Sequence, residues 1–101
     1  MEISTKEKGR KLTLALRGEL DHHGAKEAML QIEREIDSAL PVNLVLDFEK
    51  VSFMDSSGIA IVLRTQRKML AVGGSTTVCN IPPQAQKVFE AAGINRLVTM
   101  I

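Results

Sequence analysis

The sequence predicts a single α/β domain over residues 1–101, with a mostly parallel mixed sheet, an antiparallel N-terminal edge strand and about three helices. Three observations predict it. Stretches with the two-residue period of a strand alternate with stretches of helical period, and Gly or Pro punctuates the changes. No linker, repeat or low-complexity segment divides the 101 residues, of which 45% are hydrophobic. A chain of this length buries roughly 60 to 70% of its unfolded surface, enough to fold without disulfide or metal.

Each element follows from its pattern. Ile3, Thr5 and Glu7 alternate weakly before the turn-like Glu7-Lys8-Gly9-Arg10, which reads as an edge strand and hairpin. Leu12, Leu14, Leu16 and Leu20 share one parity, the period of a half-buried strand. After Asp21, a helix N-cap type, the residues Ala25, Met29, Ile32, Ile36 and Leu40 recur at spacings of three and four up to Pro41. Asn43-Leu44-Val45-Leu46-Asp47-Phe48 is nearly continuously apolar and reads as a strand covered on both faces.

Asp55 or Ser56 can cap a second helix carrying Ile59, Val62, Leu63 and Met69, stopped by Gly73-Gly74. Thr76-Thr77-Val78-Cys79 is a short strand. Pro82-Pro83 opens a third helix with Ala85, Val88, Phe89 and Ala92 at core spacing and Gly93 as C-cap. Leu97 to Ile101 closes the chain as a last strand. Strand–helix–strand units of this length imply right-handed crossovers.

Composition narrows function. Thirteen basic and twelve acidic residues leave a charge of +1, and there are three aromatics with no Trp or Tyr, so neither a nucleic-acid field nor stacking platforms are expected. Cys79 stands alone, which excludes an internal disulfide and a four-ligand zinc site and fits a reducing cytoplasm. No apolar run reaches the roughly 20 residues of a membrane span, and Met1 to Lys6 lacks a signal-peptide apolar segment. The expectation is a cytoplasmic protein with no nucleic-acid or membrane partner, no cofactor and no metal.

In an open α/β sheet the site lies where helices begin, beyond the carboxyl ends of the strands. Two loops qualify: Gly18-Glu19-Leu20-Asp21-His22-His23-Gly24 and Ser52-Phe53-Met54-Asp55-Ser56-Ser57-Gly58. If their strands pair, Asp21 and Ser56 are neighbours. These two segments, together with Val78-Cys79 before Pro83, resemble STAS domains of the anti-sigma factor antagonist type, and the resemblance runs along nearly the whole chain, with the sporulation branch nearest.

The resemblance implies a partner-switching cycle and no catalysis by this chain. Unphosphorylated members bind an anti-sigma factor that is also a serine kinase and so release the sigma factor; phosphorylation breaks the complex, and a serine phosphatase of PP2C type restores it. By carry-over, Ser56 is the acceptor, with Ser57 as second candidate. Asp21 matches an acidic position beside it, and Met54, Asp55, Ser57 and Gly58 complete the surround.

Each of these residues also has a plainer reading. Ser56 is a good N-cap, and capping is compatible with accepting phosphate; Asp21 is equally a cap or a functional acid. Gly58 either leaves room for a kinase or permits close packing. Phe53 reads as core and Met54 as an exposed contact, whereas Cys79 reads as buried. Arg64, Arg67 and Lys68 form a solvated basic face or an acidic partner's strip. His22 and His23 read as surface residues, because neighbours on a helix diverge.

Two other functions remain in view. A nucleotide-binding or weakly hydrolysing module would use helix N-termini for phosphate, but the Walker and dinucleotide glycine motifs are missing. A STAS subunit of a transporter would need a stable partner and no dependence on Ser56.

Overall fold

A computed structural model describes all 101 residues. The order is β1 (Glu2–Lys8), β2 (Lys11–Leu20), α1 (His22–Ala39), β3 (Asn43–Met54), α2 (Ser56–Ala71), β4 (Ser75–Cys79), α3 (Pro83–Ala92), a 3₁₀ turn (Ile94–Arg96) and β5 (Thr99–Met100). The five strands form one sheet in the order β1-β2-β3-β4-β5, antiparallel between β1 and β2 and parallel elsewhere.

This order dictates the layering. Each parallel crossover moves one strand further in the same direction, so right-handed connections put α1, α2 and α3 on one face. Leu12, Leu14 and Leu16 of β2 pair in register or in row with Leu44, Leu46 and Phe48 of β3, and all are fully buried under those helices. Phe48 meets Phe89 of α3 edge-on, with ring centroids 5.5 Å apart. The shortest dimension, 19 Å, holds a sheet and one helix layer.

The opposite face of the sheet carries Thr13, Ala15, Val45, Asp47, Thr77 and Cys79, all only half-buried. The expectation that β3 is covered on both faces is therefore corrected. Val45 made the run look continuous, but Asp47 and the small side chains around it suit a face with no helix on it. Cys79 lies there too, half-buried and not in the core as read from the sequence. Burial first and the neighbouring Asp47 carboxylate second push its thiol pKa up.

Three ends differ from expectation. Leu40 caps α1 in a left-handed conformation (φ 48°), which takes its side chain off the buried helical face and leaves it 65% exposed. Ala92 is exposed at the end of α3. The last strand shrinks to Thr99–Met100, because Ile94 buries itself in the 3₁₀ turn and leaves Leu97 outside.

Candidate functional site

β2 and β3 run parallel to the same end, and their register matches Leu20 with Met54. Asp21 and Asp55 then occupy equivalent positions one residue past the strands, and the Asp55 N–H donates to the Leu20 carbonyl at 3.4 Å. Each aspartate caps the helix after it. The Gly24 N–H donates to Asp21 Oδ1 at 2.8 Å, and the Ser57 N–H donates to Asp55 Oδ1 at 2.8 Å. Both have the extended backbone of an N-cap.

The consequence for the serines is direct. Capping of α2 falls to Asp55, so Ser56 stands at the first helical position with its side chain exposed and its hydroxyl not needed by the helix. Ser57 is half-buried one step further on. The loop thus brings together an uncommitted hydroxyl, two carboxylates and the positive dipole end of a 16-residue helix.

Met54 and Phe53 exchange the places expected of them. Met54 is fully buried and Phe53 is 44% exposed. The cause lies in β3, which carries one extra residue against β2 between Asp47 and Lys50 and another between Val51 and Phe53. Each insertion flips the parity of the residues beyond it, so Phe48, Val51 and Met54 all point inward at a spacing of three. Met54 therefore lies beneath the loop, and the exposed apolar side chain is Phe53. An uninterrupted two-residue period hides this, and no residue type in the segment announces the insertions.

Gly58 is likewise a packing residue. It is buried, and a Cβ there would run into Cγ and Sδ of Met54 and lie 3.1 Å from Leu20 Cδ2. α2 can approach the β2 and β3 ends only because that position has no side chain. Sequence reasoning missed Gln84 altogether: its amide donates to the Met54 carbonyl at 2.7 Å and accepts from the Met54 N–H at 2.9 Å.

The basic residues of α2 are largely engaged by α1. Arg64 pairs with Glu33 at 3.2 Å and Lys68 with Asp37 at 2.9 Å, while Arg67 is exposed without an ion-pair partner. His22 and His23 are both exposed, and His23 faces Glu27 at 3.5 Å. No helix is long and apolar enough to cross a membrane.

Five strands in this order with one helix layer define an α/β domain of a recognised family. The STAS domain profile matches residues 2–101, and the chain belongs to the STAS domain family. It is 35% identical over 94 residues to an anti-sigma F factor antagonist of Lysinibacillus sphaericus, covering 93% of this chain and 78% of that protein. Among solved structures it resembles SpoIIAA, described as an anti-sigma factor antagonist in its unphosphorylated form, with 32% identity, a TM-score of 0.83 and coverage of 99% and 88% of the two chains. The phosphorylated form of the Bacillus cell fate determinant SpoIIAA matches at 32% identity and a TM-score of 0.74, covering 99% and 91%.

Proposed function

We propose that this chain is a cytoplasmic anti-sigma factor antagonist: unphosphorylated, it binds an anti-sigma factor that is also a serine kinase, and transfer of phosphate to Ser56 dissolves that complex. A serine phosphatase of PP2C type resets it. Catalysis belongs to these partners, and this chain supplies the acceptor. The observation that carries the reading is the exposed Ser56 side chain at the start of α2, relieved of capping by Asp55. The relatives described as anti-sigma F factor antagonists, and SpoIIAA in two phosphorylation states, support it.

The physics suits a switch that leaves the domain folded. Phosphate adds about −1.5 to −2 charges at a helix N-terminus, where the dipole favours an anion by about 0.3 to 1 kcal/mol. Repulsion from Asp55 and Asp21 opposes that gain, so the net effect on folding is small. At an interface fitted to a neutral hydroxyl, the same dianion costs several kcal/mol, and about 1.4 kcal/mol is already tenfold in affinity.

The test incubates the protein with the anti-sigma F factor of its own host and ATP, maps the phosphate by mass spectrometry, and measures binding of wild type, Ser56→Ala and Ser56→Asp. Label on Ser56, lost in Ser56→Ala, and weakened binding by Ser56→Asp are expected. Label confined to another residue, or full-strength binding by Ser56→Asp together with the phosphorylated protein, would remove the reading.

A further inference from the structure

A groove of about 390 Å³ runs between α1 and α2, and Ser57, the neighbour of the proposed acceptor, lies at one end of it. Its floor is apolar, formed by Ala25, Met29 and Ile61, which are buried, with Leu30 exposed on the outer lip. Ala60 lines it from the exposed side of α2. The rim is cationic. Lys26 has no carboxylate partner in the chain, and Arg64 is shared with Glu33, the only acid lining the groove.

We infer that this groove receives an apolar side chain flanked by carboxylates on the anti-sigma factor, an inference that rests on the partner proposed above. An apolar floor takes a hydrophobic side chain, whereas the surplus of positive charge on the lip selects acidic neighbours for it. Position adds a consequence. A segment seated there passes Ser57 at the start of α2, so a phosphate on the adjacent Ser56 repels its carboxylates. Release then needs no change of fold.

Two substitutions test this by different physics. Ala60→Trp fills the groove from an exposed helix position, and Lys26→Glu reverses the charge of the unpaired lysine. Both are compared with wild type for binding to the host's anti-sigma F factor by titration calorimetry and stopped-flow, with thermal melts to verify folding. Ala60→Trp is expected to weaken the unphosphorylated complex at least tenfold. Lys26→Glu should slow association and flatten its salt dependence, and it should raise KM for Ser56 phosphorylation while leaving kcat within twofold.

Binding within twofold of wild type in both folded variants overturns the groove inference. If Ser56→Asp still releases the partner in that experiment, the proposed function survives without it. Absence of any complex with wild type removes both. Saturable binding of ATP or GTP alone, abolished by Lys26→Glu, would make the groove a nucleotide site and overturn the inference as well.

Discussion

Gln84 of α3 holds the peptide of Met54 by both of its polar groups, accepting from the N–H at 2.9 Å and donating to the carbonyl at 2.7 Å. The geometry is that of a missing strand. β4 pairs with β3 only from Asn43 to Asp47, so the far end of β3 has β2 on one side and nothing of the sheet on the other. A side-chain amide carries one donor and one acceptor, as a peptide does, and here it substitutes for β4. The clamp fixes the backbone two residues before Ser56.

Replacing that amide exposes what it contributes. Gln84→Ala removes both bonds to Met54 and is expected to cost about 1 to 3 kcal/mol, since each net hydrogen bond is worth about 0.5 to 1.5 kcal/mol. In a domain of this size each kcal/mol lowers the melting temperature by about 4 to 8 °C. Amide exchange at Met54 and Asp55 should accelerate while exchange in β2 stays slow. Unchanged protection at those two amides would mean that the clamp is dispensable.

Gly58→Ala should destabilise the protein even though alanine favours a helix by about 1 kcal/mol over glycine. The added methyl strikes Met54, which is fully buried. Overpacking of this kind costs about 1 to 3 kcal/mol, so a net loss of up to about 2 kcal/mol is expected in urea denaturation. In the background of Met54→Ala the same change should be neutral or stabilising, because the obstacle is gone. Equal effects in the two backgrounds would show that Met54 is not the obstacle.

How far the fold was legible can be argued from these residues. Strands β1, β2 and β4 and the three helices follow from period and punctuation, because Leu12, Leu14 and Leu16, or Met29, Ile32 and Ile36, bury one face without interruption. The illegible part depends on pairing between distant segments. The two extra residues in β3 exist only relative to β2, and they decide that Met54 goes in and Phe53 stays out. Gln84 is similar: nothing within α3 reveals that its amide completes a strand 30 residues away. Asp21, Asp55 and Ser56 were readable as helix starts, whereas the division of labour that frees Ser56 required the hydrogen bond from Ser57 to Asp55.

Thr76 offers a stabilising change. Its hydroxyl is buried in β4, opposite Leu44, with no hydrogen-bond partner. Thr76→Val keeps the shape and removes the unpaired group, whose burial costs about 1 to 3 kcal/mol, and valine also suits a strand. A gain of about 1 kcal/mol in chemical denaturation is expected. A loss of stability would show that a bound water satisfies this oxygen.

Cys79 should make stability fall in alkali. Its folded pKa is raised by burial first and by Asp47 second, so the native state holds the thiol proton more tightly than the unfolded chain. The contribution is complete below the ordinary thiol pKa and is lost as pH rises through the folded value. Native alkylation by iodoacetamide near pH 8 should accordingly be slower than that of a free thiol, and Asp47→Asn should speed it. A rate equal to that of the unfolded protein would contradict this environment.

The sharpest distinction at the site is between neighbours. Asp55 accepts the Ser57 N–H, whereas Ser56 has no part in the cap. Asp55→Ala should therefore cost about 0.5 to 2 kcal/mol, the usual value of a helix cap, while Ser56→Ala should stay within about 0.5 kcal/mol of wild type. Thermal melts of the two variants decide it. The ordering matters for function, because a residue that both capped α2 and accepted phosphate would alter the helix whenever it was modified. With the cap on Asp55, modification of Ser56 changes charge at the surface and leaves the helix start in place. If Ser56→Ala proved the costlier change, the serine would be structural, and a phosphate there would disturb the fold before it disturbed any partner.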